Sequence, residues 1–345
     1  MKKNIPVVFS ANNFFIPYMA VAMQSVMYNS NKEQSYCFYM LHSGLTKENQ
    51  SALIGIVSVF SNFSVEFLDV TNYINEYNFF VGTHHTGITI ETWFRVFIPE
   101  IFSRMGIEKA VYLDGDIICL ADIAELFNID IESCCIAAAC DIMGIGGYYS
   151  RNKKLPAAVH GGIVDGKTIV KNINTYFNAG VLLFNVQKIR ERISIQEILE
   201  FAVSKNWKSH DQDVLNILFE ASTMPLPMCW NFIEEENIEY FAPPDIQENY
   251  YSAKNNPKII HFCKNKPWKI FYYAANFHYF WYYALQTPFY STILQRMKDD
   301  GLITSTTCSQ QLIDAAKNNN GPGLKSLIKS AIFKFMVAKL HFKIK

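Results

Sequence analysis

The sequence predicts an α/β protein built on a parallel sheet with helices on both faces. Strand-like apolar runs alternate with helix-patterned stretches from Ile5 to Val70, and 345 residues at 50% hydrophobic content suffice to bury a full core plus an appendage. Polar clusters at Asn12 and at Asp114-Gly115-Asp116 fall where strands end, which is where such sheets hold their ligands.

Ile5 to Ala11 reads as a strand ending in Asn12-Asn13, and Pro17 to Tyr28 as a helix whose Tyr18, Val21, Ala22, Ser25 and Val26 share one face. Tyr36 to Leu41 is a second strand. Thr46 to Phe60 is a helix with Thr46 as N-cap, and Val65 to Val70 a third strand. Glu91 to Ile101 has helical spacing. Val111 to Leu113 and Ile117 to Leu120 are strand-like runs flanking the acid pair, and Cys134 to Cys140 is a short strand ending at Asp141. Gly144 to Gly166 is rich in glycine and polar residues and reads as a loop or lid. Tyr176 to Asn185 contains Asn178-Ala179-Gly180, a turn-capable opening onto a buried strand. Helices are expected at Val186 to Lys205 and Gln212 to Glu220. Lys258 to Phe262 is a last strand, with Lys266-Pro267-Trp268 just past it. The linker-like stretch is Asn318 to Gly323.

Thirty-one basic and 31 acidic residues give no net charge, but the charges are unevenly placed. Ala315 to Lys345 holds seven lysines and no acid, which leaves 24 basic against 31 acidic residues in 1–314. An acidic body argues against nucleic acid as partner. Eight cysteines without zinc-like spacing argue against a disulfide framework or a zinc site. The start, Met1 to Pro6, leads into a stretch broken by Ser10, Asn12 and Asn13 with no cleavage-like site, so a first strand of a cytosolic protein is expected. Phe271 to Gln295 lacks full charges and is long enough to cross a bilayer. Asn276, His278, Gln286 and Pro288 interrupt it, so a packed aromatic helix is the preferred reading.

Asp114 and Asp116 carry the chemistry. Acids two apart on an extended backbone project together, and Gly115 between them lets another group come close to the backbone. Two hard oxygen donors suit Mg²⁺ or Mn²⁺ carrying a diphosphate, because these ions take one or two carboxylates and fill the rest of their shell from phosphate and water. By itself the spacing also fits a strand-end turn or a helix cap.

Four further elements accompany the pair: Val7-Val8-Phe9-Ser10-Ala11-Asn12-Asn13, Phe177-Asn178-Ala179-Gly180-Val181-Leu182-Leu183, His210-Asp211-Gln212-Asp213-Val214-Leu215-Asn216, and His261-Phe262-Cys263-Lys264-Asn265-Lys266-Pro267-Trp268. In this order the chain resembles glycosyltransferase family 8, over roughly residues 5 to 270. The resemblance implies a GT-A type nucleotide-sugar fold, a mixed sheet with helices on both faces, and retaining transfer from a UDP-sugar. It implies Asp114, Asp116 and His261 as the ligands of Mn²⁺, with Mg²⁺ as the substitute. Lys266 would contact the diphosphate, Ala11 and Asn12 the uridine, Arg95 the donor sugar and phosphate, and Asn178 and Ala179 the donor sugar. Asp141, Asp211 and Gln212 would lie where donor and acceptor hydroxyls meet. Asn12 could equally be a turn residue and Asp211 a helix N-cap.

Retention leaves a choice between double displacement and same-face attack. Gln212, an uncharged amide, is a poor nucleophile, so same-face attack is preferred, with Gln212 positioning the sugar and Asp211 fixing donor hydroxyls. Two features depart from the family pattern. Lys264 stands at its usual glycine in a loop one residue shorter, where it could add a cation to the phosphates, and Gly87 with His84-His85 precedes Ile88-Thr89-Ile90 on the acceptor side.

The expected organisation is a catalytic domain at 1–270 (donor half 1–120, acceptor half 121–270), an aromatic helical extension at 271–317 and a basic amphipathic tail at 318–345. Lys325, Lys329, Lys334 and Lys339 among Leu, Ile, Phe and Val suit an anionic bilayer surface, so peripheral attachment at the inner face of a bacterial membrane is expected. The reading is a hexosyltransferase acting on galactose or glucose from UDP, with a surface glycan such as lipopolysaccharide core as acceptor, lipid-linked in one version. The alternatives are a catalytically silent nucleotide-sugar or glycan-binding module at the membrane, and a glycoside hydrolase, for which acids two apart on one strand stand too close together.

Overall fold

All seven residues of β2 (Tyr36–His42) are buried, as are nearly all of β1 (Ile5–Ser10), β4 (Lys109–Leu113), β6 (Ile136–Cys140) and β9 (Phe177–Asn185). Strands this apolar need cover on both faces. In the computed structural model, which describes residues 4–80, 89–146, 163–164, 167–168, 170–269 and 276–302, they have it. The seven-stranded sheet runs β10 (Thr223–Leu226), β6, β9, β4, β1, β2, β3 (Phe63–Asp69). Alternate residues divide between two cores: Val7, Phe9, Val111 and Leu113 pack on one side with Met19 and Met23, while Val8, Ala110 and Tyr112 pack on the other with Trp93 and Phe97.

The sheet is mixed. Most neighbours are parallel, but β9 runs antiparallel to both β4 and β6. A separate two-stranded antiparallel sheet joins β5 (Ile117–Cys119) to β11 (Ile259–His261), placing His261 opposite Ile117, and another pairs β7 (Ile163–Val164) with β8 (Lys167–Thr168). The short β5–β11 pairing brings the far end of the chain to the acid pair.

The first helix is Ile16–Asn29, and the second, Lys47–Val57, starts at Thr46, whose hydroxyl accepts from the Asn49 N–H at 3.3 Å. Other expectations need correction. The helix read from 91 to 101 is a 3-10 segment, Ile90–Phe97, followed by an α-helix, Ile98–Arg104, because Pro99 fits only the opening turn of an α-helix. The helix read from 186 to 205 is two helices, Val186–Arg192 and Ile195–Val203, since Ser194 and Glu197 form a capping box that starts the second. Asn178-Ala179-Gly180 lies inside β9 rather than in a turn before it.

The aromatic segment packs. Phe277–Ala284 and Tyr290–Asp299 are helices, and Phe280 and Tyr283 join a third core with Tyr18, Trp268 and Ile260. Tyr18 and Trp268 stack with ring centroids 4.3 Å apart. No helix among the described residues is long and apolar enough to cross a membrane. Most of the lid-like stretch 144–166, the histidines at 84 and 85 with Gly87, and the linker and tail from 318 onward lie outside the described residues.

Candidate functional site

β4 ends at Leu113, and the Asp114 N–H is held by the Gly180 carbonyl at 2.8 Å. Gly115 and Asp116 then form a turn into β5, so the two acids straddle a turn instead of projecting together from one extended strand as expected. The glycine is needed because a Cβ at 115 would stand 2.9 Å from the Phe15 ring and 3.1 Å from Met19 Cβ. The Phe262 N–H donates to the Asp116 carbonyl at 3.0 Å, extending the β5–β11 pairing across the site. As a result ligand atoms of Asp114, Asp116 and His261 all lie within 4.8 Å of one another. His261 Nε2 is 3.2 Å from Asp116 Oδ1 and 3.8 Å from Asp114 Oδ2.

Two observations fit this triad to a divalent cation. Two carboxylates and an imidazole are a donor set that Mn²⁺ accepts. Gly180, in β9, keeps the space between them clear: a Cβ there would stand 2.1 Å from His261 Cε1 and 2.8 Å from Asp114 Oδ2. The imidazole is also aimed from behind, with Nδ1 2.9 Å from the side-chain oxygen of Asn231.

Two cations serve the acids, Lys266 half-buried and Arg95 buried. Lys266 Nζ pairs with Asp116. Burial works against the charge on Asp116, yet Lys266 and His261 together hold its carboxyl far below the usual range. Burial also opposes the charge on Lys266, and Asp116 more than offsets it. Arg95 Nη2 is 3.0 Å from Asp114 Oδ1, its Nε is 2.8 Å from Asp211 Oδ2, and its guanidinium carbon sits 4.5 Å from the Tyr112 ring centroid. The Nε–H itself points to the Thr92 carbonyl at 3.1 Å, and Nη1 donates to the Ala179 carbonyl, so Asp211 Oδ2 has an ionic partner but no hydrogen bond. Burial pushes the Asp211 carboxyl up to about 7, with Arg95 opposing and Asp114 adding to the rise.

The family model for glycosyl transferase family 8 matches residues 6–270. The chain belongs to glycosyltransferase family 8. That membership sets aside the hydrolase reading. General stress protein A of Bacillus subtilis is 25% identical over 287 residues, 80% of this chain and 93% of that protein. Glycosyltransferase GlyF of Streptococcus pneumoniae is 27% identical, covering 82% of this chain, which spans 61% of GlyF. Lipopolysaccharide 1,2-glucosyltransferase of Escherichia coli is 24% identical over 180 residues, 51% of this chain and 48% of that enzyme. Among solved structures, the bifunctional glycosyltransferase WbbM aligns with a TM-score of 0.72 at 23% identity, over 86% of this chain and 52% of its own. The galactosyltransferase LgtC, solved with donor and acceptor sugar analogues, aligns with a TM-score of 0.60 at 24% identity, over 82% of this chain and 96% of its own.

In this family 8 glycosyltransferase Gln212 is the second residue of the helix Asp211–Phe219, and both ends of its amide are hydrogen-bonded. Its Oε1 accepts the Ala179 N–H at 3.0 Å, and its Nε2 donates to Asp141 Oδ2 at 2.8 Å and to the Tyr176 hydroxyl at 3.1 Å. Tyr176 donates in turn to Asp213 at 2.6 Å, so its oxygen is free to accept, which fixes the amide orientation. Asp141 is positioned by the N–H groups of Met143 and Gly144 on its other oxygen.

Asn12 accepts from the Phe15 N–H at 3.1 Å and so does make a turn, while its amide nitrogen lies 3.4 Å from Glu91 Oε2. Ala11 is buried beside it at the end of β1. Lys264 pairs with Glu235 at 3.0 Å rather than with either acid of the pair. Sequence reasoning missed Gly180, Asn231, Tyr112, Tyr176 and Asp213 as parts of the site. Tyr112 and Tyr176 gave one usable signal, a polar ring next to a motif, and burial pushes both hydroxyls well above their ordinary range so that they remain proton donors. Asn231 gave none.

Proposed function

We propose that this glycosyltransferase moves galactose or glucose from a UDP-sugar to a sugar acceptor of a bacterial surface glycan, such as lipopolysaccharide core, with retention and with Mn²⁺ (Mg²⁺ as substitute) at Asp114, Asp116 and His261. The observation that carries the reading is the convergence of two carboxylates and an imidazole beside a half-buried lysine. The name of the Escherichia coli relative supports a lipopolysaccharide acceptor. The cation, when bound, would neutralise the charge gathering on a departing diphosphate.

The chain's own residues do the rest. Lys266 exchanges Asp116 for a phosphate oxygen and stabilises the leaving group, a charge-assisted contact that matters most as negative charge develops. Arg95 holds Asp114 and Asp211 in place, and Asp211 is the acid that we assign to the donor hydroxyls. Gln212 is immobilised by Ala179, Asp141 and Tyr176, which suits positioning and not attack, since its oxygen is already an acceptor. In same-face transfer the acceptor oxygen bonds to the anomeric carbon as the bond to UDP breaks, and the acceptor proton passes to the departing phosphate. The lysine-rich, acid-free segment 318–345 supports attachment to the inner membrane face, where lipid-linked glycans are accessible.

The test is UDP release from UDP-galactose and UDP-glucose with and without Mn²⁺. Asp116→Asn should remove the Mn²⁺-dependent rate, and equal turnover in chelator would defeat the reading. The preferred donor emerges from the same screen.

A further inference from the structure

The geometry points to Asn231 as the residue that fixes which nitrogen of His261 is free to bind a cation, through a hydrogen-bond chain that starts at the Gly180 backbone. The inference rests on the cation site proposed above and concerns a positioning residue rather than a catalytic one.

The chain can be read link by link. The Gly180 N–H can only donate, and it donates to the Asn178 side chain at 2.9 Å, so the atom it meets there is an oxygen. The same oxygen receives a second contact, 2.9 Å from the Asn231 amide, and an oxygen already accepting needs a donor, so that end of Asn231 is its NH₂. The other end of Asn231 is then a carbonyl oxygen, and it lies 2.9 Å from His261 Nδ1. A carbonyl oxygen only accepts, so Nδ1 must carry the proton. The neutral imidazole is thereby confined to the tautomer whose Nε2 lone pair faces Asp114 and Asp116.

Burial makes the assignment strict. Asn231 is 3% exposed, His261 4% and Asn178 8%, so water does not offer these groups substitute partners, and a reversed amide would set two acceptors or two donors face to face. The backbone holds the register, because Phe232 N–H donates to the Ile259 carbonyl at 2.8 Å and His261 N–H to the Phe232 carbonyl at 2.9 Å. Asn231 is thus locked to β11 through the next residue along. The arrangement does for an imidazole what outer-shell carboxylates and carbonyls do at other metal centres.

Mn²⁺ binding to the full chain, measured by titration calorimetry, is the first readout. Asn231→Ala should weaken Mn²⁺ by about 10- to 100-fold. Asn231→Leu, of similar size but with no acceptor for Nδ1, should lose as much affinity, whereas a role in packing alone would spare it. The second readout needs no change at Asn231. In Zn²⁺-loaded wild type labelled with ¹⁵N-histidine, and with the His261 signals assigned by loss in His261→Gln, Nδ1 should be the protonated nitrogen. Unchanged Mn²⁺ affinity in Asn231→Ala, or a proton on Nε2, overturns the assignment to Asn231. Wild type that binds neither metal overturns instead the cation site on which it rests.

Discussion

Replacing Gly180 with alanine probes the cation site at one atom. Gly180 is not among the positive-φ residues, so alanine meets no backbone penalty and the effect is steric. The new methyl would stand 2.1 Å from His261 Cε1, 2.7 Å from its Nδ1 and 2.8 Å from Asp114 Oδ2, where ordinary contact begins at 3.4 Å. The imidazole must therefore retreat by the difference between 3.4 and 2.1 Å, about 1.3 Å, several times the roughly 0.2 Å within which metal–ligand distances are held. Disturbing an outer partner of a ligand typically costs about 10- to 100-fold in affinity, so displacing the ligand itself should weaken Mn²⁺ by about 100-fold or more. Overpacking should also cost about 1–3 kcal/mol of stability. Calorimetric Mn²⁺ titration and urea unfolding measure both quantities. Gly55→Ala, in the helix Lys47–Val57 with nothing within 4 Å of the new methyl, is the control, and should keep Mn²⁺ affinity while gaining up to about 1 kcal/mol. Wild-type Mn²⁺ affinity in Gly180→Ala would refute the claim that this glycine sets the approach of His261 to Asp114.

Three more outcomes are expected. Asp211 binds its proton more tightly folded than unfolded, so its contribution falls as pH rises from about 4 to about 7, and wild type should lose stability relative to Asp211→Asn across that window. Urea unfolding at about pH 5 and about pH 8 reads this, and parallel behaviour of the two proteins would count against a raised Asp211; Asp116, held low, acts in the opposite sense only below its ordinary value of 3.8. Lys266→Met removes the competitor for Asp116, so Mn²⁺ should bind at least as tightly while UDP binds about 10- to 100-fold more weakly, the loss of one charge-assisted contact of about 1.5–3 kcal/mol. Equal loss of both ligands would mark Lys266 as structural. Truncation after Gly321 should leave UDP release intact and abolish binding to anionic vesicles, to which each lysine contributes about 1 kcal/mol; unchanged vesicle binding would remove the tail from the account.

The local parts of this protein were legible in its sequence. The runs at Ile5, Tyr36 and Val65 became strands, Thr46 became a cap and Asp114-Gly115-Asp116 stood at a strand end, because periodicity, capping and turn chemistry act between residues a few positions apart. Tertiary structure alone decided the antiparallel course of β9, the meeting of His261 with Ile117, the hold of Asn178 and Asn231 on the imidazole, and the pairing of Lys264 with Glu235. Each of these joins groups distant along the chain, and their protonation and orientation follow from burial and from whichever donors and acceptors the fold brings opposite them, which no spacing records.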